Sequence, residues 1–223
     1  MILAHEAFFS KIILEENQVN VLVVENKHLF TKLVLDFNSQ TNGQEGGFIL
    51  SSDEYEILNI HKQIAFIPQP AIIDINDKKL LHKLYSSLKE TSFNEEYYHH
   101  TAQLFSAVTQ YIQKLCNLAD FDIDLEHEFD INSLLKSVGL KFYDKNLSVA
   151  EKLLDYILTV RDLLHINIFV IVNLESYLDI QDRIFLEKSI LDHKVHVLFL
   201  ESHDIQKTEH EKILIIDDDL CEF

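Results

Sequence analysis

Glycine and proline are scarce in this chain of 223 residues, which holds four of the first and two of the second. Glycine lets a backbone take left-handed turns and proline interrupts helices, so their scarcity excludes a loop-rich architecture and points to long helices with short connections. Cysteine is nearly absent too. Cys116 and Cys221 stand far apart with no paired spacing, which excludes a disulfide framework or a cysteine zinc motif and fits a reducing compartment. No apolar stretch approaches the roughly twenty residues needed to cross a bilayer. The N-terminal MILAHEAFFSKIILEE also lacks the basic start and small-residue cleavage site of a secretory signal, so a cytoplasmic protein is expected. Positive charge is the last shortage: 19 Lys and Arg face 37 Asp and Glu, a formal net charge of −18. That argues at face value against nucleic acid, because affinity for phosphate comes from clustered Lys and Arg. The argument holds only if the basic groups are evenly spread.

Apolar residues make up 47% of the chain, with 15 Phe and 8 Tyr, as expected of a folded domain. The run HINIFVIVN over 165–173 is unbroken, apolar and β-branched, and predicts a strand buried on both faces. Ser148 to Glu151 has the spacing of a capping box, and Leu153, Leu154, Ile157, Leu158 and Val160 continue at helical period. A second helix is predicted over 179–191, then strands over 195–200 and 212–216. Helix, strand, helix, strand is the crossover unit of an α/β layer. Near the N-terminus, 19–24 predicts another buried strand. A helix follows from about Asn26 with Leu29, Phe30, Leu33, Val34 and Phe37 on its apolar face, then a loop over 38–47 and short strands at 48–50 and 55–58.

Pro68 and Pro70 punctuate the chain and predict a boundary. Beyond them, Leu80, Leu81, Leu84 and Leu88 mark one helix, and Leu104, Phe105, Val108, Ile112 and Leu115 a second, with a break near 91–94. This predicts an antiparallel helical pair. Ile131 to Val138 predicts a short helix closed by Gly139, and 140–143 a strand. The expected organisation is therefore a discontinuous α/β domain over 1–66 and 140–223 with a helical domain inserted at 67–139.

Few segments carry chemistry. Asp217, at the tip of the last predicted strand, invites a magnesium-ligand reading. The glycine-rich segment Gly43-Gln-Glu-Gly46-Gly47, however, lacks the lysine that ends a phosphate loop, and Glu45 repels phosphate. Gly-x-Ser-x-Gly and His-Glu-x-x-His are absent. The strongest local signal is Asp120-Phe-Asp-Ile-Asp-Leu-Glu-His-Glu-Phe-Asp130, in which acids alternate with mostly apolar residues. In extended form its carboxylates crowd one face. Such a face is either solvated or neutralised by a hard cation, calcium or magnesium. The spacing is not that of an EF-hand. Lys62, Lys78, Lys79, His82, Lys83 and Lys89 form a local basic surplus, either a solvated helix face or a phosphate-facing stripe. An enzyme, a metal-dependent nuclease or NTPase using the acidic run or Asp217, is the alternative that these features leave open.

Asp124-Leu-Glu126-His-Glu128, Leu135-Lys136-Ser-Val-Gly139-Leu-Lys141, Val172-Asn173 with Tyr177-Leu178, and Val197-Leu-Phe-Leu-Glu201 occur in an order that resembles the Csn-two family of type II-A CRISPR spacer-acquisition proteins, in its short form. The resemblance implies a P-loop-ATPase-like mixed-sheet α/β head without a functional phosphate loop, and an inserted α-helical leg. It implies no catalytic activity, a homotetrameric ring around double-stranded DNA, and bound Ca2+. Asp122, Asp124, Glu126 and Glu128 become the candidate ligands. Lys27, Lys32, Lys62, Lys78, Lys79 and Lys83 are the candidate DNA contacts, made to phosphate rather than to base edges. The implied partners are the integrase subunits and the RNA-guided nuclease of spacer acquisition.

Overall fold

The computed structural model describes residues 1–124, 129–143 and 147–223. Two compact units emerge: Met1–Ile75 with Asp144–Phe223, and Asn76–Tyr143. The first contains β1 (Ile2–His5), β2 (Ile12–Ile13), β3 (Val19–Val24), α1 (Lys27–Thr41), β4 (Phe48–Ser51), β5 (Ile57–Leu58), α2 (Ile60–Gln63) and β6 (Ile64–Ile67). The second contains α3 (Lys78–Ser92), α4 (Tyr98–Cys116) and α5 (Ile131–Ser137). The first then resumes with α6 (Val149–Leu164), β7 (Ile168–Val172), α7 (Ile180–Asp192), β8 (His196–Glu201) and β9 (Glu211–Ile216).

The first unit is built on a five-stranded parallel sheet in the order β6-β7-β8-β3-β9. Every residue of β3, β7 and β8 is buried, as parallel strands covered on both faces require. Alternation assigns the faces. Leu22, Val24, Val170, Val172, Leu198 and Leu200 share a core with Leu29, Leu33 and Phe37 of α1 and with Leu3, Phe48 and Leu50 of a small antiparallel sheet, β2-β1-β4-β5. Phe37 stacks on Phe48 with ring centroids 3.7 Å apart. The opposite face carries Val21, Val23, Phe169, Ile171, Val197 and Phe199. It is covered by α6 and α7, which pack on each other and bury Leu153, Ile157, Val160, Leu186 and Ile190. The capping box at α6 forms as its spacing predicts, with Ser148 Oγ accepting from Glu151 N–H and Glu151 from Ser148 N–H.

Several expectations are corrected. The helix from Asn26 runs on to Thr41, so the loop begins only after it. The prolines lie inside the first unit: Ile64–Ile67 is an edge strand that Pro68 ends, and Pro70 opens a 3-10 turn over Pro70–Ile72. Residues 140–143 form no strand. They are pinned within the second unit by Asn76, whose Oδ1 accepts from Phe142 N–H at 2.8 Å, and by Tyr85, whose hydroxyl donates to Leu140 O at 2.7 Å. The predicted helical pair is not a mutually buried hairpin, because α3 packs against α5. Thr101 is the buried residue of α4, whose Leu104, Tyr111 and Leu115 stay exposed. Gly139 sits at φ +66° just past α5, the left-handed position that favours glycine at a helix end.

Candidate functional site

A phosphate loop sits between a strand and the helix that follows it, with free helix amides turned to the anion. Here the junction of β3 and α1 contains only Glu25 and Asn26. Asn26 Oδ1 accepts from His28 N–H at 3.1 Å and Leu29 N–H at 3.0 Å, so the amides that would meet a phosphate already have a partner. Asn26 Nδ2 donates to Asp218 O at 2.9 Å, drawing an acidic turn over the same helix start. The Gly43, Gly46 and Gly47 segment follows the C-terminal end of α1, where the helix dipole repels anions. Asp217 closes a turn: its Oδ1 accepts from Cys221 N–H at 2.8 Å and folds the C-terminal residues back onto β9.

The described residues of the acidic run, 120–124 and 129–130, are not in a strand. Residues 120–124 have no regular structure, and Phe121 and Ile123 are exposed, so these two apolar members are not gathered on a buried face. Asp122 and Asp124 are exposed; Glu126 and Glu128 lie outside the described residues. Two exposed carboxylates are chemically apt for Ca2+ but fall short of the six to eight oxygens that it takes. Among the described residues no group of three His, Cys, Asp or Glu gathers as a metal site. Asp130 has a different role. It caps α5 by accepting from Ser133 Oγ at 2.8 Å and Ser133 N–H at 2.9 Å, and it pairs with Lys89 at 3.3 Å. The Ser133 hydroxyl bond leads in holding its carboxyl down to about 2.

The basic candidates divide. On α3, Lys78, Lys79, His82, Lys83 and Lys89 fall within about 140° of arc at about 100° per residue, opposite buried Leu80. Glu90 is the one acid of α3 on that arc. Lys78, Lys79 and Lys83 are exposed. Lys32 is bound to Glu6 at 2.7 Å, which raises its pKa chiefly through that hydrogen bond. Lys27 opens α1 on another side of the helix, and Lys62 is exposed on α2. Lys78, Lys79 and Lys83 share one face of α3, whereas Lys27 and Lys32 belong to α1 and Lys62 to α2.

One cluster escaped the sequence reading. Arg183, 1% exposed, donates to Glu175, to the carbonyl of Gln206 and, at 3.3 Å, to Glu211; its Nε lies 3.3 Å from Glu187. Thr208 closes the group, its hydroxyl on Glu187 at 2.5 Å and its N–H on Glu211 at 2.8 Å. Glu201, also 1% exposed, accepts from Glu175 N–H at 3.3 Å. Burial pushes Glu201 up to about 7, and burial likewise leads in pushing Glu187 up to about 7. The irregular 202–210 connection between β8 and β9 is thus held by α7. The sequence signal was Arg183 with Glu187 one helical turn on.

The chain matches the family model described as CRISPR-associated protein (Cas_Csn2) over residues 40–220. It belongs to the Cas_Csn2 family. The order of motifs is thereby explained, and membership ties the chain to the CRISPR machinery. Among solved structures it is similar, at 12% identity and a TM-score of 0.41, to a Pyrococcus furiosus protein described as an ABC transporter (ATP-binding protein); the match covers 96% of this chain and 97% of that one. No described helix is long and apolar enough to cross a membrane.

Proposed function

We propose that this Cas_Csn2 chain is a non-enzymatic protein that binds double-stranded DNA without sequence preference, as a calcium-stabilised homotetrameric ring acting in spacer acquisition in the cytoplasm. The observation that carries the reading is the basic arc of α3, with exposed Lys78, Lys79 and Lys83 on one helix face, in a chain of net charge −18. A symmetric ring multiplies each inward lysine by four, which reconciles an acidic chain with phosphate binding. The exposed Leu104, Tyr111 and Leu115 of α4 supply apolar surface suited to contact between copies. The occupied amides at Asn26 argue against nucleotide hydrolysis. Ca2+ would be held by the acidic run, Asp122 and Asp124 with Glu126 and Glu128; bound there, it would neutralise like charges that otherwise repel. The integrase subunits and the RNA-guided nuclease are the partners in this reading.

A mobility shift of linear duplex DNA tests it, run in Ca2+ and in EDTA with the product resolved on a denaturing gel. A calcium-dependent, salt-sensitive shift of uncut DNA is expected. No shift at low salt in either condition would end the DNA-binding reading, and cut DNA would favour a metal-dependent nuclease instead.

A further inference from the structure

The irregular connection 202–210 carries the chain from β8 to β9, which lie on either side of β3. Its two ends are tied down outside the charged cluster: Ser202 N–H donates to Asn173 Oδ1 at 2.9 Å, and His210 O accepts from Val19 N–H at 2.9 Å. Its middle is held by the cluster itself. Arg183 donates to Gln206 O, Glu187 accepts from Thr208 Oγ1 at 2.5 Å, and Glu211 accepts from Thr208 N–H at 2.8 Å. Charge does not balance there, because one guanidinium serves four carboxyls, those of Glu175, Glu187, Glu201 and Glu211. The charged groups around Glu187 are Arg183 on its own helix and Glu211 on β9; those around Glu201 on β8 are Glu175, in the turn after β7, and Arg183. His203, Asp204, Lys207 and Glu209 of the connection are exposed. Glu187 is fully buried, Glu211 is 6% exposed, and the two are within hydrogen-bonding reach of each other. Even so, one oxygen of each, Oε1, has no hydrogen-bond partner among the described residues. Two ionised carboxylates side by side in such surroundings repel, whereas a carboxyl and a carboxylate attract through one proton.

We propose that Glu187 and Glu211 share one proton, and that this proton latches the 202–210 connection onto α7, so that its loss frees the middle of the connection between two fixed ends. The proton supplies a donor between two acceptors that otherwise have none, and it leaves one carboxylate for Arg183 and the Thr208 amide. Without it, Glu187 and Glu211 are like charges served by a guanidinium already shared with Glu175. Thr208 bonds both carboxyls, so their separation pulls on the connection directly. Burial first, and Glu211 after it, push Glu187 up to about 7, which sets the working range of the latch. A group raised in the closed state stabilises that state fully below its ordinary value of 4.5, and the contribution is lost as pH rises to about 7. The latch therefore loosens on approach to neutrality and changes little beyond it.

Hydrogen exchange of the full chain, read by mass spectrometry at pH 5, 6, 7 and 8 and corrected for the chemical exchange rate at each pH, tests the latch. The reporter is the peptide containing the Thr208 amide, with peptides from β3 and β7 as internal references. Protection at Thr208 should fall roughly fiftyfold from pH 5 to pH 8, most of it below pH 7, while the references stay protected. Glu187→Gln keeps an oxygen for Thr208 and carries a permanent donor toward Glu211, so its protection should stay high and flat across this range. Glu211→Gln should also flatten the profile, and it decides the matter if Glu187→Gln does not fold. Thr208→Val, which removes the hydroxyl and leaves the pair of carboxyls, should lower protection at every pH and keep its slope. Glu201→Gln removes a buried carboxyl outside the pair and should leave the slope in place. A wild-type profile flat between pH 5 and pH 8 overturns the proposal, as does a slope that survives both Glu187→Gln and Glu211→Gln. A slope that appears equally in the β3 and β7 references overturns it too, since the opening is then that of the whole unit.

Discussion

Replacing Glu201 by glutamine should make this protein more stable at alkaline pH and leave it little changed at acid pH. Glu201 ends β8 in full burial, and that burial lifts its pKa from 4.5 to about 7. The folded state therefore holds a proton that the unfolded chain releases at lower pH. Its contribution is complete below pH 4.5 and is lost as pH rises to about 7. At about 1.4 kcal/mol for each tenfold difference in proton affinity, ionising Glu201 withdraws roughly 3 kcal/mol. Glutamine keeps an acceptor oxygen for Glu175 N–H and carries no charge to bury. Urea unfolding midpoints of wild type and Glu201→Gln at pH 5, 6, 7 and 8 give the difference between the two proteins, which cancels the titration of other groups, Glu187 and the histidines included. The difference should be under about 1 kcal/mol at pH 5 and grow to roughly 3 kcal/mol in favour of the variant at pH 8. A difference independent of pH, or a variant less stable than wild type at pH 8, would refute the argument from burial.

Phe37→Ala removes a ring that is fully buried against Phe48 and should lower stability by about 3 to 5 kcal/mol, read as a fall in the urea midpoint with unchanged slope. Gly47→Ala places a Cβ 2.4 Å from His5 Nε2, whose ring is held by Asp36 at 2.9 Å, so something must shift; a loss of about 1 to 3 kcal/mol in thermal or urea unfolding is expected, and a neutral result would mean that the His5 ring yields freely. Lys79→Glu combined with Lys83→Glu reverses charge on the exposed arc of α3. Duplex affinity should fall at low salt, and the slope of log affinity against log salt should shrink by about one for each phosphate that the variant no longer neutralises, while circular dichroism stays as in wild type.

Much of the fold was legible because its signals are local. Strands β3, β7 and β8 are apolar runs, Asn26, Ser148 and Asp179 are caps whose side chains bond the next amides, and Gly139 closes α5. The weaker elements were not. β1, β2 and β6 are two to four residues long, and they exist because distant partners complete their hydrogen bonds, Ile2 with Ser51 and Ile64 with Ile168. Of the candidate site, the lysines of α3 share an arc because the helical period places them there, whereas Lys32 was lost to Glu6, a residue 26 positions away.

Composition and period along the chain were enough to determine an α/β layer with a helical insertion, a missing phosphate loop and the two segments rich in one charge. The tertiary structure alone decided which side chains meet. Arg183 gathers Glu175, Glu187 and Glu211 because the 202–210 connection crosses the sheet beside α7, and Asn20 comes beside Lys212 because β3 and β9 pair in that register. Secondary structure follows from preferences that act over a few residues, but the company a buried charge keeps is set by contacts between segments far apart in the chain, whose closure depends on the whole core.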